Sequence, residues 1–402
     1  MNHTSKFGNG VMDNAYQECD NLTFEGNRTL LGFSQPVRCK LDGQTTSNHL
    51  EFPSYIQMTA TIFCAVILTL GTAGNILVPI VVCRTKELRN STNFFLTNLS
   101  VADLLVLVVC MPTVLIELHS KPEVWLLGEI MCKVVPYVET TVAHGSILTI
   151  LAISFERYYA ICQPLKAGYT CTKMRALIII FTVWLIAIFV TSPILLIAEY
   201  DYVGYIDGTK VTVCHTSAHS TWQKIYFFLM TLILFWIPFA VLIAIYIIIT
   251  RHLMTDRKHL NNATERCRMR SRKQVVLMLA CVVTCFFVCL MPFRIFTTWL
   301  ILVQQETVED LGMETYYNLL YFCRVMLYIN SAINPILYNL ISSKFREAFV
   351  RVLCCHSDKR LIRQGTSSTT YTSLTTSLRA QGIVSQGSKS DSFKNSHLES
   401  YV

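Results

Sequence analysis

The stretch IYFFLMTLILFWIPFAVLIAIYIIIT, residues 225–250, runs for 26 residues without an acid, a base or a histidine. A helix of roughly 20 such residues, rising 1.5 Å per residue, crosses a hydrocarbon core about 30 Å thick. An open strand in lipid would leave backbone groups unpaired at several kcal/mol each, so the expected conformation is helical. Working outward from this run, comparable ones lie near 55–84, 93–118, 129–162, 174–198, 223–250, 272–303 and 313–341. The expected fold class is therefore an all-α membrane protein, a bundle of seven transmembrane helices.

The whole composition agrees. Of 402 residues, 52% are hydrophobic and 15% charged, against about 25% charged in a soluble domain. A net charge of +8 would suit nucleic acid, but the Lys and Arg residues gather in short segments between apolar runs, so no nucleic-acid partner is expected. The 16 Cys residues sit mostly inside those runs, where Cys acts as a small hydrophobe rather than as a disulfide framework. Residues 1–54 lack the apolar core and small-residue cleavage site of a signal peptide, so the first span is expected to serve as the insertion signal.

Orientation follows from the connectors. Arg84, Lys86 and Arg89 follow the first span, Lys166, Lys173 and Arg175 the third, and the connector 251–273 and the segment after 341 are basic too. The positive-inside rule places all four in the cytosol. Connectors carrying Asp201, Asp207, Glu306, Glu309, Asp310 and Glu314 then face outward, as does the N-terminus with its glycosylation sequons at Asn2, Asn21 and Asn27. Plasma-membrane residence, with the C-terminus cytoplasmic, is the expected localisation.

Ionisable residues within a span are costly and usually functional. Asp103 lies about 15 Å along its helix from the cytosolic end near Asn93, and can act as a cation site or switch, or hold helices together as a hydrogen-bonded carboxyl. Cys132 and Arg157 bracket the third span, 25 residues or about 37 Å apart. Cys132 thus faces the oxidising side and can pair with Cys214 in the next outer connector. Arg157, beside Glu156 and Tyr158, stands at the inner rim, where a snorkelling Arg is the plainer reading.

Together, Gly74-Asn75, Leu99 to Asp103, Cys132 with Cys214, Glu156-Arg157-Tyr158, Trp184, Pro238, Pro292 and Asn330-Ser331-Ala332-Ile333-Asn334-Pro335-Ile336-Leu337-Tyr338 resemble the signature of rhodopsin-like G-protein-coupled receptors over about residues 55–355. The resemblance implies a bundle whose outer half binds an agonist and whose inner half opens to a G protein. It implies a switch built on Glu156, Arg157, Tyr158, Tyr246 and Tyr338, with Leu165 touching the G protein or the membrane. Asp103, Ser146, Asn330 and Asn334 would form an allosteric sodium site; no other cofactor is expected. Pro292 and Pro335 each remove a helix hydrogen bond and are the expected hinges. One residue departs from the pattern: Leu290 stands where relatives have Trp.

The ligand class is read from charges expected in the outer half. Glu139 lies about 10 Å below Cys132 beside Thr140, Glu117 ends span two, Arg294 sits just above Pro292, and Arg324 about 16 Å above Pro335. Glu139 can pair with Arg324 or Arg294 across the bundle, or serve a ligand. A ligand offering a cation to the acids and carbonyl oxygens to the Arg residues is a peptide with an Arg near an amidated C-terminus. Val142-Ala143-His144, Ser154 to Cys162 and Pro164-Leu165-Lys166-Ala167-Gly168-Tyr169 resemble arthropod ecdysis-triggering-hormone receptors, similar in turn to thyrotropin-releasing-hormone, neuromedin U and ghrelin receptors. That group implies Pro-Arg-X-amide ligands and Gq-type signalling through calcium.

Residues 342–355 are expected to form an amphipathic surface helix ending in a palmitoylation pair, Cys354 and Cys355. The Ser/Thr-rich segment 356–402 reads as a disordered tail for receptor kinases and arrestin, and Ser400-Tyr401-Val402 resembles a PDZ ligand. The absence of an internal repeat argues against a transporter, and isolated intramembrane His residues such as His144 argue against a metal enzyme.

Overall fold

The computed structural model describes residues 52–170, 172–204, 209–216, 218–256, 263–303 and 305–353. Asn2, Asn21, Asn27, Cys354, Cys355, the tail and its terminal Ser400-Tyr401-Val402 lie outside the described residues. Among the described residues, seven helices are long and apolar enough to cross a membrane: α1 (Ser54–Arg84), α2 (Ser91–His119), α3 (Gly128–Cys162), α4 (Lys173–Ile197), α5 (Thr221–Thr255), α6 (Thr264–Leu302) and α7 (Met313–Ile341). An eighth, α8 (Ser343–Leu353), follows directly. It buries Phe345, Ala348 and Phe349 and exposes Lys344, Arg346 and Glu347, the two-sided pattern of a helix lying on a membrane surface.

Local signals start these helices where the connectors end. Asn90 caps α2 by accepting from Asn93 N, Thr172 caps α4 by accepting from Arg175 N, and Ser220 with Gln223 forms a reciprocal capping box on α5. Prolines shape the interiors. Wide π turns at Val106–Cys110 and Leu232–Trp236 stand just before Pro112 and Pro238. Proline has no N–H and its ring crowds the carbonyl one turn back, so a wider turn relieves the conflict.

The bundle is inverted relative to a soluble protein. Ile178, Phe181 and Phe189 of α4 are exposed, facing the lipid, while Asn75, Ser100, Thr149 and Ser154 are fully buried. A chain of interior polar side chains links α4, α2 and α3: Trp184 Nε1 donates to Asn98 Oδ1 at 2.8 Å, and Asn98 Nδ2 to Thr149 Oγ1 at 3.0 Å. Helices α1 and α7 approach closely because Gly71 and Gly74 lack side chains. A Cβ on Gly74 would lie 2.9 Å from the Pro335 ring, and one on Gly71 3.1 Å from Ala332 Cβ. Asn75 Nδ2 locks the approach by donating to Ser331 O at 2.7 Å.

One element was not legible in the sequence. Between α4 and α5 an antiparallel hairpin pairs β1 (Ala198–Gly204) with β2 (Lys210–Thr216). It lies beyond the spans, where its edges can meet water. A Cys132–Cys214 disulfide with a Cα separation of 5.6 Å ties it to the N-terminal end of α3. Trp125 N donates to Thr212 O at 2.8 Å, fastening the α2–α3 connector to the same hairpin.

Candidate functional site

Beneath the hairpin lies a cavity of about 1220 Å³, enough for a short peptide segment. Glu117, Glu139, Thr140, Arg294 and Arg324 all line it, so α2, α3, α6 and α7 bring together the five residues expected to bind ligand. Of the alternatives open for Glu139, the structure does not take the ion pair with either Arg. Arg324 Nη1 donates to Glu117 Oε2 at 2.5 Å, with both side chains about one-quarter exposed, and its guanidinium lies 5.8 Å from the Tyr321 ring. Sequence depth placed both Arg residues near Glu139 but carried no information on helix rotation, which turns Arg324 toward α2.

Among the described residues Glu139 consequently keeps one weak hydrogen-bond partner, the hydroxyl of buried Tyr328 at 3.4 Å. The guanidinium of Arg294 has no hydrogen-bond or ion-pair partner among the described residues, and Glu139 acts on it only across the cavity. An acid and a base therefore face the same space with capacity to spare. Such groups are costly to bury unless something pairs with them.

Sequence reasoning missed several lining residues. Tyr317 and Tyr321 share a face of α7 with Arg324 and Tyr328, spaced by four, three and four residues; the first three line the cavity, and Phe52 packs edge-on against Tyr317 with ring centroids 4.8 Å apart. That helical stripe was the available signal. Glu123, in the α2–α3 connector, also lines the cavity and has φ 66°, rare for a side-chain-bearing residue. Partial burial raises the pKa of its carboxyl above the usual range.

The cavity floor reaches Asp103, Ser146 and Asn330. Asp103 is buried and accepts from Asn334 Nδ2 at 2.9 Å. The Oδ1 of Asn330 is buried with no partner among the described residues. Phe286 and Leu290 line the floor, both almost fully buried.

At the end of the bundle away from the hairpin, the expected inner end, Glu156 Oε1 accepts from Arg157 Nη2 at 3.0 Å, from Thr92 Oγ1 at 3.4 Å, and from Ser91 Oγ. Gln163 Nε2 donates to the Tyr158 hydroxyl at 3.2 Å, and the Ser154 hydroxyl donates to that of Tyr246 at 3.4 Å. Tyr338 is fully buried, its hydroxyl unpaired among the described residues. Ile161 of α3, Ile249 and Leu253 of α5, and Met269 and Val276 of α6 close the inner mouth as one apolar cluster. Leu165, on the short helix Pro164–Thr170 after α3, is 92% exposed. Pro292 and Pro335 lie inside unbroken α6 and α7.

Residues 74–338 match the family model "7 transmembrane receptor (rhodopsin family)". The chain belongs to that family. Rhodopsin-family receptors among the curated proteins resemble it over most of their length. The growth hormone secretagogue receptor type 1 of Homo sapiens is 33% identical over 307 residues, 75% of this chain and 82% of that one. A QRFP-like peptide receptor of Branchiostoma floridae is 30% identical over 323 residues, 79% and 83% of the two chains. The thyrotropin-releasing hormone receptor of Gallus gallus is 32% identical over 326 residues, 75% and 80%. These relatives are signalling receptors, and as a rhodopsin-family member this chain is a receptor rather than an enzyme.

Proposed function

We propose that this rhodopsin-family receptor responds to a C-terminally amidated peptide hormone of the Pro-Arg-X-amide type, as ecdysis-triggering-hormone receptors do, and signals through Gq and calcium release at the plasma membrane. The observation that carries the reading is the unpaired Arg294 facing under-paired Glu139 in one cavity. A peptide Arg side chain answers Glu139, and backbone or terminal carbonyl oxygens answer Arg294. A monoamine would leave Arg294 unanswered. Glu117, Thr140 and Arg324 complete the proposed contact set, and relatives named as receptors for peptide hormones support the class.

Signalling then follows from two arrangements of one bundle. The apolar cluster at the inner mouth keeps α6 against α3 and α5, while Glu156 holds Arg157 along α3. A peptide that binds the inner-open arrangement more tightly shifts the population toward it, by no more than its differential affinity. Pro292 and Pro335 let α6 and α7 bend, Tyr246 and Tyr338 are free to repack, and Leu165 meets the G protein. Asp103, Ser146 and Asn334, with the orphan Oδ1 of Asn330, offer oxygens that suit a hard cation, so sodium there would favour the closed arrangement. The N-terminus is outside and the C-terminus inside in this reading, with arrestin, receptor kinases and a PDZ protein as tail partners.

The test is calcium release in transfected cells given synthetic peptides ending in Pro-Arg-Leu-amide, a thyrotropin-releasing-hormone-like tripeptide amide, and ghrelin-like and neurotensin-like controls. The Pro-Arg-Leu-amides are expected to act at the lowest concentrations. The second reading is a thyrotropin-releasing-hormone-like or neuromedin- or ghrelin-like ligand, the first of these favoured by the relative named as a thyrotropin-releasing hormone receptor, and a response confined to the non-Pro-Arg-Leu probes would replace the first reading.

A further inference from the structure

His144 is a buried, ionisable residue of α3 that neither the proposed switch nor the proposed contact set uses. It lies one helical turn inward of Thr140 on the same face, is 1% exposed, and lines the cavity together with Arg294. Its Nδ1 is 3.0 Å from Thr191 Oγ1 on α4. Its Nε2 is buried with no hydrogen-bond partner among the described residues.

Proton counting assigns the tautomer. Thr191 is fully buried, and His144 is its side chain's hydrogen-bond partner. If the Thr191 hydroxyl donates to Nδ1, one group remains unsatisfied, the Nε2–H. If Nδ1–H donates instead, both the hydroxyl proton and the Nε2 lone pair are stranded. The first arrangement strands fewer groups and is favoured. It leaves a donor at the deep end of the cavity, near the second unpaired donor, Arg294.

We propose that His144 is a specificity-determining ligand contact whose Nε2–H, together with Arg294, holds the carbonyl oxygen of the peptide's terminal carboxamide. Glu139 accepts from the carboxamide N–H₂ in this arrangement, which a free carboxylate could not supply and would be repelled from. The proposal rests on the amidated-peptide reading and adds the residue that reads the terminal group. An orphaned buried donor also favours whichever state of the receptor pairs it, so agonist binding relieves a defect of the unliganded cavity.

The experiment separates this role from a plain α3–α4 brace by side-chain length. In His144→Asn the amide can occupy the place of Nδ1 and keep Thr191, but nothing stands at Nε2. In His144→Gln the amide reaches the place of Nε2 and supplies N–H there. His144→Phe keeps the ring and neither nitrogen. Calcium responses to the Pro-Arg-Leu-amide peptide and to its free acid are measured for each, with cell-surface level scored by biotinylation. The expected result is an amide EC50 about ten-fold higher for Asn and Phe, and within about three-fold of wild type for Gln. The proposal is overturned if Asn matches wild type while Gln is as weak as Phe, which marks a brace. It is equally overturned if all three match wild type, or if the wild type prefers the acid. Silence of the wild type toward every amide in the panel overturns the ligand reading first, and this proposal with it.

Discussion

Replacing Arg324 by Met removes one half of the 2.5 Å ion pair with Glu117 and the cation beside the Tyr321 ring, while keeping most of the apolar volume. A unit-charge pair about 4 Å apart interacts by roughly 4 kcal/mol at an effective dielectric near 20. Both side chains here are about one-quarter exposed, so solvent screening reduces this to about 2 kcal/mol. Stranding Glu117 next to Glu139 adds to the loss, because an uncompensated acid remains in the cavity. Glu117→Gln with Arg324→Met removes both charges and should recover most of that 2 kcal/mol. The readout is inactivation of purified receptor at a fixed temperature, followed with a thiol dye that reaches the buried Cys64, Cys110, Cys289 and Cys323 only on unfolding. Each single variant should inactivate up to about 30-fold faster, and the double variant should come within about three-fold of wild type. Strictly additive losses, with a coupling below about 0.5 kcal/mol, would refute the reasoning and reduce the pair to a surface contact.

Three further outcomes are expected. Glu139→Gln should weaken an Arg-bearing amidated agonist at least about ten-fold more than its citrulline analogue, which loses only the carboxamide contact; equal losses in functional assays remove Glu139 from the cation contact. Asp103→Asn should abolish any sodium dependence of agonist affinity measured between sodium and choline buffers, and an unchanged sodium effect places the cation elsewhere. Glu123→Gly should raise thermal stability by about 1 kcal/mol, because glycine tolerates φ 66° and the variant loses a carboxyl that burial disfavours in its charged form. Since the folded state raises the Glu123 pKa, the charge penalty is present at neutral pH and vanishes as the carboxyl protonates. The gain should therefore shrink toward low pH, and a pH-independent gain would assign it to the backbone alone.

The spans and the site were legible to different degrees for physical reasons. A bilayer admits so few conformations that hydropathy alone located all seven helices, and lone charges such as Glu139 and Arg294 stood out because lipid makes them costly. The Glu117–Arg324 pair did not follow, since depth along a helix says nothing of its rotation. Tyr328 escaped notice because an aromatic inside an apolar run reads the same whether it faces lipid or a carboxylate. The hairpin Ala198–Gly204 with Lys210–Thr216 escaped too. Its strands do alternate, Ala198-Glu199-Tyr200-Asp201-Tyr202 and Lys210-Val211-Thr212-Val213, but each alternating stretch is short, and the hairpin's position depends on Cys214 and on Trp125 from a distant connector.

The central claim, that the Glu139–Arg294 cavity holds an amidated peptide, is tested most directly by equilibrium binding of a labelled Pro-Arg-Leu-amide peptide to purified receptor in lipid nanodiscs. Saturable binding that the free-acid peptide competes for poorly, and that Arg294→Gln with Glu139→Gln abolishes, is the expected result. Binding undiminished in that double variant would contradict it.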